Sequence, residues 1–268
     1  MDHAGCSEDA PTPTRRPCLA RMGGRGLQRP GRESLDGSEW IEPAQLAQNL
    51  DDLATIKRWL GYDTALQRTL RPLLGTLSGQ EAVLVDVAAG GADPAAGLSL
   101  LAAEAGVSLR TVAIDLHPQV TAEARSRTRG VEGVAIVRAD GLRLPLATAS
   151  ADVALCSFTL HHLAWGQALT LLGEMRRVAR RGLILADLAR SRLAYSGAWL
   201  LFRLWGPRHR LSRHDGLLSI RRAYTLREVE RLAAEAALEE PRLRRRPFWF
   251  MLLAPGPAFD RARAGGWG

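Results

Sequence analysis

Apolar residues recur at intervals of three and four from residue 43 to residue 60. Leu46, Leu50, Leu53, Ile56 and Leu60 share one helical face, and Gly61 follows as a stop signal. A second helix is predicted from about Thr64 to Leu74, with Leu66, Leu70, Leu73 and Leu74 on its apolar side. Beyond residue 80 the period changes. Strand-like runs at Ala82–Val87, Thr111–Leu116, Val134–Val137, Asp152–Ser157 and Leu183–Ala186 alternate with helical runs at Ala95–Ala105, Gln119–Arg129 and Gln167–Ala179. Strands apolar on both faces and separated by helices predict an α/β class, with a parallel sheet covered on both sides and right-handed crossovers. In the last third, Leu193–Trp205 is apolar almost all round, broken by Arg203. His209–Tyr224 reads as a polar loop, Thr225 to about Leu238 as an amphipathic helix, and Pro241–Ala254 as two strands separated by Pro247. That order suits an antiparallel hairpin added late to the sheet.

The small residues concentrate in Val83–Pro94, which reads VLVDVAAGGADP. A strand ends in an acid, a run of Ala and Gly turns the chain, and Asp93-Pro94 marks a helix start. Small side chains at Ala88, Ala89, Gly90, Gly91 and Ala92 allow close approach of a ligand to the backbone. Asp86 and Asp93 beside the turn disfavour the pyrophosphate of a dinucleotide, which wants a helix N-terminus free of anions. The G-x-G-x-x-G spacing is also missing. A cationic ligand such as S-adenosylmethionine, with an ammonium, a sulfonium and no phosphate, suits these charges better than NAD.

Ligands of open α/β sheets bind beyond the carboxyl ends of the strands. The first predicted strand ends at Asp86 and the turn. The second ends at Asp115 in VAIDLHP, where a carboxylate accepts from ribose hydroxyls, and the third is followed by Asp140-Gly141, where a carboxylate takes an adenine amino group. The fourth ends in CSFTLHHL, which places Ser157, Phe158, His161 and His162 at the rim. Any one of these alone is more often a cap or turn residue. Four in this order argue for a nucleoside-bearing ligand.

Charge adds less than its size suggests. The net charge is +8, but Lys57 is the sole lysine and Arg is spread from end to end, which fits compositional bias at least as well as a nucleic-acid stripe. Cys6, Cys18 and Cys156 have no paired or metal-ligand spacing, so neither a disulfide framework nor a metal site is expected. No apolar run is long enough to span a bilayer and the N-terminus lacks a signal-peptide core, so a cytoplasmic location is expected. Residues 1–38, rich in Pro, Gly, Arg and Ser without apolar periodicity, read as a disordered tail.

The succession VLVDVAAGGADP, VAIDLHP, VRADGLRLPLATASADVALCSFTLHHL and GLILADL resembles the small-molecule class I S-adenosylmethionine-dependent methyltransferases. The similarity covers about residues 80–190 and is strongest to the type related to ubiquinone and menaquinone biosynthesis. DLARSRLAYSGAWLL and RHDGLLSIRRAYT are similar, more loosely, to methyltransferases encoded beside plant-type polyketide synthases. The resemblance implies a Rossmann-like, seven-stranded sheet with a late antiparallel hairpin, an N-terminal helical cap and a helical insertion after the fifth strand. It implies a domain over 39–256, with the cap at 39–78, an acceptor lid at 190–224, and a flexible tail at 257–268. It also implies S-adenosylmethionine as cofactor: Asp86, Ala88, Gly90 and Ala92 at the methionine end, Asp115 and Leu116 at the ribose, Asp140, Gly141 and Leu142 at the adenine, and Ser157 at the rim. The family's first motif has the form D-x-G-x-G-x-G, and here Ala88 and Ala92 replace two of its glycines.

The implied acceptor is a small molecule of phenolic, quinol or polyketide type. A phenol must lose its proton near the moment of attack, which makes a neutral histidine useful. His161 and His214 are the candidate bases; His162 reads equally well as structural. Trp199, Arg221 and Tyr224 are candidate acceptor contacts. The Leu193–Trp205 segment is read first as ordinary burial, then as a lid over a lipophilic acceptor, and last as a peripheral membrane contact. The competing functions are a cofactor-binding module without catalysis and an NAD(P)-dependent oxidoreductase. Base methylation of nucleic acid is disfavoured, because SFTLHH stands where an Asn/Asp-Pro-Pro-aromatic motif is expected.

Overall fold

The computed structural model describes residues 40–205 and 210–258, and for residues 201–205 and 210–215 the backbone alone. The expected tail 1–38, the side chains of Trp205 and His214, and most of the expected tail 257–268 lie outside the described residues.

Helix α1 (Pro43–Trp59) starts where the Glu42 side chain accepts from the Gln45 N–H and Pro43 fills a first-turn position that needs no donor. Gly61, at φ +70°, reverses the chain into α2 (Tyr62–Gly75), which therefore begins earlier than its apolar stripe suggests. Then come β1 (Glu81–Val87), α3 (Pro94–Glu104), β2 (Ser108–Asp115), α4 (Pro118–Arg127), β3 (Val134–Arg138) and β4 (Ala151–Ser157). A 3-10 turn, Leu160–His162, leads into α5 (Trp165–Val178) and β5 (Ala179–Leu188). Helices α6 (Arg192–Trp205), α7 (Arg210–Arg222) and α8 (Leu226–Glu235) precede the final strands β6 (Arg242–Arg245) and β7 (Trp249–Pro255).

The seven strands run in the order β3-β2-β1-β4-β5-β7-β6. The first five are parallel, β7 lies antiparallel against β5, and β6 closes the hairpin. This is the Rossmann-like sheet with a late antiparallel pair. Alternate residues of each strand serve the two faces. Val85, Val87, Ala154, Cys156, Leu183, Leu185, Phe250 and Leu252 pack with α5 and α8, while Leu84, Val153, Leu155, Ile184, Trp249, Met251 and Leu253 pack with α2 and α3. Because β7 sits between two strands and under helices on both faces, its sequence is continuously apolar. Among the described residues, no helix is long and apolar enough to cross a membrane.

Two elements differ from the sequence expectation. The stretch expected as a polar loop at 209–224 contains α7, whose second half buries Leu218 and Ile220. Its apolar stripe is short and interrupted by Arg and Ser, so the helical period is masked. The helix expected to end at Ala179 instead passes directly into β5, which starts four residues before its apolar run. The cause is electrostatic: Asp152 on β4 is buried, and its carboxylate accepts from Arg180, Arg181 and the Val83 N–H. Burial alone would raise the Asp152 pKa, but these donors overcome it and hold the group below the usual range.

Asp152→Ala is therefore expected to destabilise the protein by about 2–4 kcal/mol, at the lower side of the range for a broken buried pair because Arg180 is half exposed. A depressed folded pKa gives stability that is present above the unfolded value and lost as pH falls through the folded one. Urea melts across pH 3–7 should show the wild-type advantage over the alanine variant shrinking towards pH 3.

Candidate functional site

The candidate residues meet along the carboxyl edge of the parallel strands. Asp86 stands at the penultimate position of β1, 3% exposed, on the face that carries α2 and α3. Its Oδ1 is buried without a hydrogen-bond partner. Burial, the main cause, raises its pKa to about 7; the Lys57 ammonium pulls it down, while Asp93 and Asp115 push it up. A buried carboxylate with a bare oxygen is costly to keep and is satisfied by a cationic ligand.

The turn after β1 bends through left-handed backbone at Ala88, Gly90 and Ala92, with φ of +55°, +58° and +55°. Glycine takes this conformation freely, whereas each alanine there costs roughly 1–2 kcal/mol. The two residues that depart from the glycine pattern thus keep the glycine backbone. Asp115, half-buried at the end of β2, holds the turn in place: Oδ2 accepts from the Gly90 N–H at 3.0 Å and Oδ1 from the His117 N–H at 3.0 Å. Burial raises its pKa, and these two bonds oppose the rise. Leu116, beside it, is 62% exposed, an apolar side chain held open at the edge. After β3, Asp140 is exposed and accepts from the Leu142 N–H at 2.8 Å, which shapes the Asp140–Gly141–Leu142 turn. A side chain at Gly141 would meet Val87 at 2.8 Å.

Beyond β4 the chain turns at Phe158, again with φ +55°. The Ser157 hydroxyl is hydrogen-bonded to the buried Tyr62 hydroxyl, which comes from the cap. Burial first, then the nearby Asp86 charge, pushes the Tyr62 pKa well up. Phe158 meets Tyr62 edge-on at 5.2 Å, and Lys57 lies over the Phe158 ring at 5.6 Å. Asp93 stands at the N-cap position of α3 but makes no capping bond; it pairs with Lys57 and Arg127, each at 3.8 Å.

His161 is buried, and its Nδ1 lies 2.6 Å from Oδ1 of the equally buried Asp187 at the end of β5. Its backbone N–H donates to Asp187 Oδ2. A carboxylate only accepts, so Nδ1 carries the proton and Nε2 is the basic nitrogen. Helix α7, which carries His214, packs against the 3-10 turn that holds His161 and His162. Helix α6 leaves the same edge: Gly197 faces the Phe248 ring, which packs with the Tyr62–Phe158–Trp249 cluster. Trp199 is 46% exposed on α6. The Tyr224 hydroxyl donates to the Leu163 carbonyl at 2.9 Å, and Arg221 is exposed at the end of α7.

Sequence reasoning missed Asp187, Lys57 and Tyr62. Asp187 satisfies the same strand-end rule as Asp86 and Asp115, and applying that rule to GLILADL finds it. Lys57 stands out as the sole lysine. Nothing in the sequence marks Tyr62, because its role depends on how the cap folds over β4.

Residues 85–186 match a family model described as a methyltransferase domain. No curated protein matches the chain significantly. Among solved structures, an S-adenosylmethionine-dependent methyltransferase from Aquifex aeolicus is 19% identical, with a TM-score of 0.56 over 81% of this chain and 99% of that one. Human N-acetylserotonin methyltransferase in complex with S-adenosylmethionine is 14% identical, with a TM-score of 0.57 over 80% of this chain and 56% of that one. A protein from Bordetella parapertussis described as possibly exported is 18% identical, with a TM-score of 0.55 over 77% of this chain and 69% of that one. At these identities the structures establish a shared fold.

The bare Asp86 oxygen makes a directional prediction for the empty protein. A carboxylate pKa raised by folding opposes stability: the penalty is absent below the unfolded value near 4, grows as pH rises, and is complete above about 7. Asp86→Asn should therefore melt higher than wild type at pH 8, by the equivalent of roughly 2–4 kcal/mol, with the gap closing towards pH 4. Thermal melts at four pH values check both the sign and the convergence.

Proposed function

We propose that this chain, a class I S-adenosylmethionine-dependent methyltransferase, moves the methyl group to a small, lipophilic acceptor carrying a phenolic or enolic hydroxyl. The observation that carries the cofactor assignment is Asp86, a buried carboxylate with an unpartnered oxygen, on the strand that runs into a turn of small residues within the segment matched to the methyltransferase domain. The residues fit the group. Asp86 takes the ammonium, the turn at Ala88–Ala92 lets the methionine end approach backbone, Asp115 accepts from the ribose, and the Asp140–Leu142 turn faces the adenine.

When bound, S-adenosylmethionine supplies a methyl group already activated by its sulfonium. The protein's share is orientation, exclusion of water and handling of one proton. Asp187 holds the His161 ring through Nδ1, and Nε2 is the nitrogen that would take the acceptor's proton as its oxygen attacks. Helices α6 and α7, lying beyond the ends of β4 and β5, form the acceptor side, with α7 supplying His214 as the second candidate base. The aromatic and apolar character of Phe158, Phe248 and Trp199 supports a lipophilic acceptor. Arg221 and Trp199 are open to contact it, whereas Tyr224, expected as a third contact, is buried in the core with its hydroxyl on the Leu163 carbonyl and its ring against Trp165. A small-molecule acceptor in the cytoplasm is the setting we infer.

Titration with S-adenosylmethionine, S-adenosylhomocysteine and NADH tests the cofactor: the first two should bind and NADH should not. A methyl-transfer screen over phenols, quinols and enolised polyketides tests the acceptor. Binding without transfer to any of them would favour a module that holds the cofactor without catalysis. On an active acceptor, His161→Ala should lower kcat by about 10²–10⁴-fold, the usual scale for a general base, and remove the acidic limb of the pH–rate profile. Asp187→Asn should lower kcat and shift that limb to lower pH, because the imidazolium loses its carboxylate. Unaltered rates and limbs in both variants would leave catalysis to positioning alone.

A further inference from the structure

We infer that Lys57, from the cap helix α1, binds the carboxylate of the cofactor's methionine end, so that the site reads both charges of an amino-acid zwitterion. The inference rests on the S-adenosylmethionine reading and extends it to a residue outside the matched segment 85–186.

Lys57 sits in the last turn of α1 with its side chain 14% exposed. Its ammonium lies 3.8 Å from Asp93 Oδ2 and over the face of Phe158. Its charge also acts on Asp63 and Asp86. Every other basic residue of the chain is arginine, whose planar fork is broader than the compact ammonium that fits between a ring face and a turn.

A ligand ammonium docked on Asp86 would lie close to the Lys57 ammonium, and two cations side by side in a half-closed site repel. The repulsion disappears if the ligand brings an anion next to its cation. An α-amino acid does so, because its carboxylate is bonded to the same carbon as its ammonium. Lys57 can turn to that carboxylate without stranding Asp93, because Arg127 holds the other Asp93 oxygen. Arg127 is itself anchored by Asp51, Glu123 and the Ala47 carbonyl, so the cap stays attached to α4 when Lys57 changes partner.

Calorimetric titration of wild type, Lys57→Met and Lys57→Arg with S-adenosylmethionine and with decarboxylated S-adenosylmethionine separates this role from a tether. Lys57→Met should lose about 10- to 100-fold in affinity for S-adenosylmethionine, the scale of one charge-assisted hydrogen bond. Its affinity for the decarboxylated ligand should be unchanged or higher, because that ligand brings no anion to offset the Lys57 charge, and Lys57→Arg should recover only part of the loss, because the guanidinium is broader than the ammonium it replaces. Equal losses for the two ligands would make Lys57 a structural tether and overturn the inference. Tighter binding of S-adenosylmethionine by Lys57→Met would also overturn it, showing an ammonium that competes for Asp86. Failure of wild type to bind either ligand would instead remove the methyltransferase reading on which the inference stands.

Discussion

A carboxylate buried at the end of β1 sets the terms for everything around it. Asp86 is inside because β1 is a central strand with helices on both faces, and the residue before its last position points into the α2–α3 layer. Burial there penalises the charged form and no local donor reaches Oδ1, so the pKa climbs to about 7. The nearby structure reads as a response to that charge. The cap brings an ammonium on Lys57; the turn opens backbone beside it; Asp115 spends both of its oxygens on N–H groups that fix the turn. What remains is the Asp86 Oδ1 without a hydrogen-bond partner, the feature on which the proposed cofactor site rests.

The architecture was legible wherever a single element carried its own pattern. The five parallel strands are short apolar runs bounded by turn residues, and their order follows from alternation with helices. The acids Asp86, Asp115 and Asp140 were legible as a group, because a strand run and its terminal acid lie within one short stretch. The failures share a cause: they depend on contacts between distant segments. The start of β5 is set by Asp152, roughly thirty residues earlier, and α7 is helical in spite of an interrupted stripe because its second half is buried against the rest of the insertion. Asp187 becomes meaningful only when β5 lies beside β4 and meets His161; Tyr62 only when α2 folds over Ser157.

Ala88 and Ala92 show how a motif can change in letters while its physics is kept. The backbone passes through the left-handed region at both residues, as it does at Gly90 between them. A strained alanine survives only where its surroundings fix the conformation. Ala92 is buried with Ala89, Ala113 and Ala124, so its methyl group gains packing that a glycine would forgo. The Asp115 carboxylate, bonded to Gly90, clamps the centre of the turn. The substitution thus exchanges conformational ease for packing, and the turn keeps the backbone path of the glycine pattern.

The two halves of the proposed site, one for the cofactor and one for the acceptor, are built on different principles. The cofactor half rests on strand ends β1 to β4, tied by backbone hydrogen bonds and fixed by the register of the sheet. The acceptor half rests on α6 and α7, which hang between β5 and α8 and touch the sheet edge through Phe248 and the 3-10 turn. Among the described residues the His161–Asp187 pair joins them, since β5 holds the carboxylate while α7 packs against the turn that carries the histidine. A substitution in α6 or α7 can therefore reshape the acceptor surface without disturbing the line from Asp86 to Asp140. One at Asp187 would act on both halves, because this carboxylate holds the proposed base from the strand beside β4.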